Sequence, residues 1–469
     1  MSRRKIFRSV LAIALCLFLN ACATTQKEPT VTKQKPLATP EFDVPEKFQS
    51  TLPQASAPVV QSDWLKSFND PKLDALVEEV LNKNFDLQIV AAKIEAAMAS
   101  AKLAGADLTP AVNLGLSNSN QGNLASGLSN DISTIGASLD VSWELDIWGR
   151  IAAGHNAATK ELVASKLDYA FAKLSLAAQT AKAYFLAIET GRQFRLAEDH
   201  VANYSKSLEV ANAFFAEGIV SIQDIHLAQS EKARAEDALG KNKSAHLEAL
   251  RSLEALLGRY PSAKVEIAKE FPSLPSPVPF GIPSEVLERR PDIVSAERRV
   301  AAAFEKVTEA KAAKLPRISL TGSLGVASNG LSTLINPANA LWNVASNLMF
   351  PLFDGGKLDA QVEAATASQK QALAAYQKTA LAAFSDIETA LSNESIFRKR
   401  AQSLKVAFEQ AKLAEEIGME KYKSGEGDLL DVLQLQRATT SSQTALTRIE
   451  NDLLVQRVNL HLGLGGNFK

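Results

Sequence analysis

Cysteine is nearly absent from this sequence of 469 residues, which contains only Cys16 and Cys22. A disulfide framework is excluded, because removal of an N-terminal signal would take Cys16 and leave a single cysteine. The sequence also has no excess of charge of one sign, since 51 basic and 52 acidic residues give a formal net charge of −1. Without the strongly basic face that nucleic acids attract, we expect no nucleic-acid partner.

Motifs of the common catalytic and metal sites are missing as well. The sequence contains no HExxH pair, no GxSxG motif and no phosphate-binding loop. We interpret each of the five histidines as a solvated residue. They are His155, His200, His226, His246 and His461. We therefore predict that the protein is not an enzyme and has no catalytic residues, no metal site and no cofactor.

Long apolar runs are absent after the N-terminal segment, so no transmembrane helix is predicted. If the chain crosses a membrane, it must do so as a closed barrel of strands. The N-terminus has a basic start, Arg3-Arg4-Lys5, and a short apolar run that ends in Leu19-Asn20-Ala21-Cys22. This order predicts a signal peptide at residues 1–21.

The end of this signal distinguishes two kinds of secreted protein. Ala21-Cys22 resembles a bacterial lipobox, in which Cys22 becomes the acylated first residue of the mature chain. An ordinary secretory signal that contains a cysteine is the alternative. Ala23 stands where an aspartate would have favoured retention in the inner membrane. We expect a protein anchored in outer-membrane lipid, with a lipidated linker at residues 22–62.

A repeat at an offset of about 206 residues is the most informative feature that is present. The shift places residues of the first copy on similar residues of the second: Trp143 on Phe350, Gly149 on Gly356, Gly218 on Gly425 and Asp224 on Asp431. The predicted repeats are residues 63–260 and 284–455. A Pro-rich connector at 261–283, which cannot be helical throughout, joins them, and a tail follows at 456–469.

Four segments alternate between apolar and polar side chains, which is the pattern of a strand with one polar face. They are residues 111–118, 133–145, 317–327 and 341–352. Their lengths are close to the roughly ten residues of a tilted membrane-spanning strand. Aromatic side chains favour the membrane interface, and four lie near the strand ends: Trp143, Trp148, Trp342 and Phe353. Two hairpins of a soluble sandwich are the alternative on this pattern alone.

Four strands are too few to close a barrel, because bacterial membrane barrels begin at about eight strands. An open sheet edge in lipid would leave backbone groups unpaired at several kcal/mol each. Copies of the chain must therefore combine their strands. Two copies would give eight strands with an interior filled by side chains, whereas three would give twelve with an open lumen. The residues alone require an oligomer and do not fix its number.

Each repeat continues into a long alanine-rich helical pattern without proline, over residues 150–218 and 357–425. At 1.5 Å per residue each extends on the order of 100 Å, and small side chains let such helices pack closely. A glycine turn ends each pattern, and a second helix returns along it. The predicted fold class is an α+β membrane protein that is mostly α-helical.

Several motifs then follow one another in a fixed order. They are SWELDIWGR at 142–150, LERRPDIVSAE at 287–297, LPRISLTG at 315–322, FPLFDGG at 350–356 and LGLGG at 462–466. On these motifs the chain is similar to the TolC-like outer membrane efflux proteins, in the lipoprotein branch of NodT type. The resemblance covers nearly all of residues 64–466.

The resemblance implies a homotrimer with a twelve-stranded β-barrel in the outer membrane of a Gram-negative bacterium. A long periplasmic barrel of α-helices would continue it, with the connector at 261–283 at its equator. Such a trimer is an exit duct that passively conducts substrates from an inner-membrane pump and a periplasmic adaptor protein to the exterior. A non-conducting periplasmic coiled-coil scaffold, or the outer-membrane component of type I protein secretion, are the alternative functions.

The hairpin tips are where the resemblance places the contact with the adaptor and the closure of the duct. Small residues there would permit close approach of a partner helix. The predicted contact residues are Gly218, Ile219, Val220, Ser221, Gly425, Glu426 and Gly427.

A gate near the last hairpin is also implied by the resemblance. Family members carry an acidic residue three positions before the arginine of that hairpin. Here the arginine is Arg437 and the acidic position holds Gln434, which departs from the pattern of an ion-pair gate. Asp431 lies a further three residues earlier and can share a helical strip with both. We predict that Asp431 and Arg437 contribute to closure.

Overall fold

The computed structural model describes residues 44–45, 47–50, 64–121, 132–276 and 283–466. The predicted signal peptide and the lipidation site Cys22 lie outside these residues, as does most of the predicted linker. Within the described ranges, no helix combines the length and the apolarity that a membrane span requires.

The described chain is mostly helical, with one four-stranded sheet. Its main elements are α1 (Pro71–Lys83), α2 (Phe85–Ala106), β1 (Ala111–Gln121), β2 (Ile132–Leu145), α3 (Arg150–Ala216), α4 (Ile222–Leu256), α5 (Pro283–Arg289), α6 (Pro291–Ala312), β3 (Arg317–Ser328), β4 (Ala340–Met349), α7 (Lys357–Lys423) and α8 (Leu429–Gly463). Helices α3 and α4 form hairpin 1, and α7 and α8 form hairpin 2. The predicted mostly helical fold with four strands is confirmed.

The internal repeat is confirmed by the lengths of corresponding helices. Helices α3 and α7 each have 67 residues, α4 and α8 each have 35, and α2 and α6 each have 22. Each pair begins 206 or 207 residues apart, as the sequence shift requires. The chain therefore builds the same unit twice, and the two units share one sheet.

The corners between sheet and long helices are built by an aspartate and a glycine. Asp146 accepts hydrogen bonds from the backbone N–H groups of Ile151 (3.0 Å) and Ala152 (2.7 Å), which begin α3. Gly149 has a φ of +71°, a left-handed conformation that glycine adopts without strain. Asp354 caps α7 in the same way. A carboxylate also complements the positive end of the helix dipole.

The sheet has the order β1-β2-β3-β4, and all neighbours are antiparallel. Since side chains alternate between faces along a strand, the register decides which residues share a face. Val112 lies opposite Val141, and Leu139 lies opposite Leu324, so one face is apolar. The other face carries Asn113, Asp140 and their polar neighbours. Strands β1 and β4 are the edges.

The boundaries differ from the expectation at three places. Strand β1 continues to Gln121, and β4 ends at Met349, just before a segment with Pro351, which lacks the N–H that a ladder needs. The segment predicted as a tail from residue 456 is helical as far as Gly463. Its burial explains this difference, because Val458 and Leu460 are fully buried and extend the helix into the core.

Arg457 anchors the connector between the repeats. Its guanidinium pairs with Glu394 on α7 and donates to the carbonyl oxygens of Pro275 and Ser276. Both Arg457 and Glu394 are fully buried. A buried charge without partners costs several kcal/mol, so this set of contacts fixes the connector to hairpin 2.

A second carboxylate holds the first part of the connector. Glu254, at the end of α4, accepts hydrogen bonds from the N–H groups of Ala263 (2.6 Å), Lys264 (2.7 Å) and Val265 (3.0 Å). Burial alone would raise the pKa of Glu254, but these hydrogen bonds outweigh it and lower the pKa below its usual value. The described part of the connector is therefore tied to both hairpins.

The prediction that all histidines are solvated is wrong for His461, which is 5% exposed. Its ring stacks on Trp64 with centroids 5.2 Å apart. Burial, and then the charge of Arg457, lower the pKa of His461 to about 3. His155, His200 and His246 are half-buried, and His226 is exposed. His461 is buried because the end of α8 packs against Trp64 in the core.

His461 predicts a specific loss of stability in acid. In the unfolded chain this residue binds a proton below its ordinary pKa of about 6.5. In the folded chain it stays neutral until the pH approaches its lowered pKa of about 3. The free energy of unfolding should therefore fall by about 2 kcal/mol between pH 6.5 and 5 through this group alone. We expect His461→Phe, which keeps an aromatic ring against Trp64, to reduce the pH dependence of the melting temperature. Equal dependences for both proteins would contradict the assignment. His226→Phe is the control at an exposed position.

Candidate functional site

The two hairpin tips share one backbone geometry. In hairpin 1 the N–H of Ile219 donates to Phe214 O (2.9 Å), and Gly218 has a φ of +73°. In hairpin 2 the N–H of Glu426 donates to Lys421 O (2.9 Å), and Gly425 has a φ of +78°. This pattern ends a helix by satisfying its last carbonyl groups, and it requires a left-handed residue. The glycines are thus explained by the turn itself, whether or not a partner approaches.

The return helices begin with different caps. Ser221 and Asp224 form a capping box at the start of α4, in which the Ser221 N–H donates to Asp224 Oδ2 (2.8 Å). At the start of α8, Asp428 accepts from the N–H of Leu430 (3.2 Å). Each cap fixes where the second helix starts. The tips are therefore ordered turns.

The surfaces of the two tips differ in chemistry. Phe215, Ile219 and Ile222 expose apolar side chains around the tip of hairpin 1. The tip of hairpin 2 instead exposes charged side chains of both signs, with Glu426 and Asp428 close to Lys421 and Lys423. The tips therefore present one apolar and one charged surface.

The glycines at the tips also differ in the space around them. A Cβ atom at Gly218 or Gly425 would meet nothing within 4 Å, so both backbones are open to a neighbour. A Cβ at Gly427 would lie 3.0 Å from Tyr422 N, so this glycine packs against its own hairpin. All three predicted contact glycines are exposed, but only Gly218 and Gly425 have space for a side chain.

An apolar cluster joins the two hairpins next to the tips. Tyr422 on α7 is buried against Phe214 on α3, with ring centroids 5.3 Å apart. Ile225 from α4 and Val432 from α8 pack in the same cluster. Burial, and then the carboxylates of Asp224 and Asp428, raise the pKa of the Tyr422 hydroxyl. All four long helices therefore meet here in one protomer.

Arg437, predicted for closure, forms an ion pair between the hairpins. Its Nε donates to Glu231 Oε2 at 2.9 Å, and its Nη2 lies 2.5 Å from Glu231 Oε1. The Glu231 side chain is 7% exposed, whereas that of Arg437 is 47% exposed. The hydrogen bond with Glu231 raises the pKa of Arg437, so its charge is permanent. Helix α8 is thereby bonded to α4.

The other two predicted closure residues are not part of this pair. Asp431 and Gln434 lie on α8 at exposed positions. Within the described part of the chain, neither side chain has an ion pair or a side-chain hydrogen bond. Glu231 was missed because it lies in the other repeat and no local motif marks it. Arg437 therefore pairs with the carboxylate of Glu231 and not with a residue at position 431 or 434.

A polar seam continues from the ion pair along α3 and α8. Gln436 donates to the hydroxyl of Ser207 at 2.9 Å, and Thr440 Oγ1 lies 3.2 Å from His200 Nδ1. Gln193 then donates to the carbonyl oxygen of Thr444 at 3.0 Å. Burial lowers the pKa of His200, against the field of Asp199. Hydrogen-bonded pairs in place of apolar layers make this part of the contact easier to separate than the cluster at the tips.

The predicted interface aromatics lie at both ends of the sheet. Trp143 donates to Leu108 O (3.1 Å) and Trp148 to Pro316 O (2.7 Å), both at the end that continues into the helices. Phe353 is also exposed at this end, and Trp342 is 77% exposed at the other end of the sheet. Their positions suit two belts, which remains a prediction. Among the described residues, no cluster of three or more His, Cys, Asp or Glu side chains could hold a metal ion.

Comparison with known proteins gives a consistent result. The profile of the family described as "Outer membrane efflux protein" matches residues 76–259 and 282–466, which correspond to the two repeats. The pyoverdine export outer membrane protein OpmQ of Pseudomonas aeruginosa is 30% identical, over 98% of this chain and 97% of OpmQ. The probable outer membrane lipoprotein SilC of Salmonella typhimurium is 26% identical, over 98% of each chain.

A solved structure supports the same relationship. The structure of the outer-membrane channel OprN superimposes with a TM-score of 0.85 at 27% sequence identity. The superposition covers 93% of this chain and 99% of that one. The likeness therefore extends over nearly the whole chain.

The ion pair predicts how firmly hairpin 2 is held near its tip. Arg437→Gln should remove the bond between α8 and α4 and weaken the contact by about 1 kcal/mol, because the arginine is half exposed. We expect about fivefold faster hydrogen exchange of the backbone around residues 429–440. Arg234→Gln is a matched control, since Arg234 also pairs with Glu231 (2.9 Å) but lies on the same helix. Equal exchange in both variants would show that the pair does not join the hairpins.

Proposed function

Because this chain belongs to the outer membrane efflux protein family, we propose that it works as the passive exit duct of a tripartite efflux system. It lies in the outer membrane and conducts substrates from an inner-membrane pump and a periplasmic adaptor to the exterior. The family consists of ducts, and this chain needs no catalytic group for the task. The observation that carries the proposal is a four-stranded sheet with two open edges and one exposed apolar face, continued by helices of 67 residues.

The sheet has the dimensions and polarity of a membrane wall. Ten to fourteen residues per strand at about 3.4 Å, tilted by about 45°, span roughly 25 to 35 Å, enough to cross the apolar band of an outer membrane. Leu114, Leu116 and Val344 are exposed on the apolar face, which would face lipid. The edge strands β1 and β4 would pair with those of neighbouring copies, and three chains would close twelve strands.

The helices carry the duct away from the membrane. Both α3 and α7 start at the corners below the sheet and end at the tips, on the order of 100 Å away. The tips are therefore the parts that reach farthest toward an inner-membrane partner. An adaptor would meet the apolar surface of hairpin 1 and the charged surface of hairpin 2.

Closure would depend on the contacts that hold hairpin 2 against hairpin 1. The Arg437–Glu231 pair and the cluster around Tyr422 keep the tips together in the resting state. Separation along the polar seam would open the duct without unfolding either hairpin. Asp431, exposed like Gln434 on the same stretch of α8, would contribute to closure through contacts with neighbouring copies. Acylation of Cys22 would anchor the N-terminus in the outer membrane.

Conductance in a planar bilayer, measured together with the mass in detergent, tests the proposal. We expect discrete channels from a particle of trimer mass, and a larger conductance for Arg437→Gln because its tips separate more readily. Arg234→Gln should conduct like the unaltered protein. A monomer or dimer without channels would contradict the duct and favour a periplasmic scaffold. A trimer that stays silent even with Arg437→Gln would do the same.

The tips make a separate prediction about the adaptor. Asparagine tolerates the left-handed conformation, and nothing lies within 4 Å of the added Cβ, so Gly218→Asn and Gly425→Asn should leave the trimer intact. We expect these variants to reduce dye export in cells, because the longer side chain keeps a partner helix away. Gly240→Asn adds the same side chain at an open position on α4, away from the tips, and should export normally. Normal export by all three variants would exclude close contact at the tip glycines.

A further inference from the structure

The four strands of the sheet carry three charged residues, which are Asp140, Glu144 and Arg317. All three lie on the face opposite to the apolar one, because Asp140 and Glu144 are paired with Ser323 and Ser319 on β3, and Arg317 lies an even number of residues before both serines. The charge of Glu144 is neutralised by Arg150, whose Nη2 lies 2.9 Å from Glu144 Oε1. Arg317 and Glu144 stand at the end of the sheet next to the helices. Asp140 is therefore the one charge in the middle of the described polar face.

The row of residues that contains Asp140 is otherwise neutral. Asn113 on β1 and Ser323 on β3 lie directly opposite Asp140, and Asn343 on β4 lies opposite Ser323. The neighbouring row, with Ser142 and its partners, is also uncharged. No cation of the described sheet is placed to offset the carboxylate.

The carboxylate is held over this face rather than buried in it. The hydroxyl of Ser138 donates to Asp140 Oδ2 at 2.7 Å. A Cβ at Gly115 would lie 3.3 Å from the same oxygen, so the glycine leaves room for the carboxylate.

We propose that Asp140 makes the exit through the sheet prefer cationic over anionic solutes. The inference rests on the proposed duct, in which the polar face lines the lumen and three copies place three carboxylates at one height. A ring of carboxylates raises the local concentration of cations and repels anions, as in cation-selective channels. The effect decreases with ionic strength, because the Debye length falls from about 30 Å at 0.01 M salt to about 3 Å at 1 M.

The reversal potential across a potassium chloride gradient measures this preference. We expect the unaltered trimer to favour potassium at low salt, and Asp140→Asn to shift the reversal potential toward zero. Combining Asp140→Asn with Asn113→Asp moves the carboxylate across one strand at the same height and should restore the preference. Asn343→Lys adds a cation to the row while Asp140 stays in place, so it should shift the potential toward anions even if Asp140→Asn does not assemble.

The outcomes separate the inference from the function it rests on. Channels whose reversal potential is the same in all of these variants at low salt would overturn the role of Asp140 and leave the duct intact. A loss of preference that the relocated carboxylate does not restore would also contradict it, because position on the lumen face is the argument. Absence of channels from the unaltered trimer and from Arg437→Gln alike would overturn the duct, and the inference with it.

Discussion

The unpaired backbone groups at the two edges of the sheet constrain everything else in this structure. Strands β1 and β4 each pair on one side only, so each presents a row of free N–H and C=O groups. Between lipid chains every such group would cost several kcal/mol, so one chain cannot exist there alone. Closure with other copies satisfies these groups, and it also sets the helices that follow each strand pair side by side around the same axis. The wall in the membrane and the helical duct are thus consequences of one requirement.

Duplication explains why a single chain contains two similar hairpins. Later divergence of the two copies explains why their side chains make different contacts. The helix lengths are still identical between repeats. The contacts between hairpins are not: a shift of 207 places Arg437 on Ser230 and Glu231 on Ala438, which cannot form a pair. The bond between the tips therefore exists once per chain. A duct built from two unlike hairpins can move one of them while the other stays in place.

Most of the fold could be predicted from the sequence, because strands with one polar face and long proline-free helices each have a period that the residues display. Glycines marked the tips, because this kind of helix end requires a left-handed residue. The partner of Arg437 could not be predicted, since Glu231 is about 200 residues away and pairs with it only through the packing of hairpins. The burial of His461 was missed because an isolated histidine in a helical pattern gives no sign of which elements surround it.

Two Arg–Glu ion pairs, one at the connector and one near the tips, differ in burial and therefore in how firmly they hold the hairpins. At the connector, Arg457 and Glu394 are both fully buried, and removing either would leave a charge without solvent, so this level is held rigidly. At the tips, Arg437 is half exposed, and water can replace Glu231 at a cost of about 1 kcal/mol. The polar seam between them joins the buried Gln436 and Ser207 and the half-buried His200 and Thr440. The connector therefore keeps the hairpins in register, while the hydrogen-bonded contacts farther along the hairpins can separate.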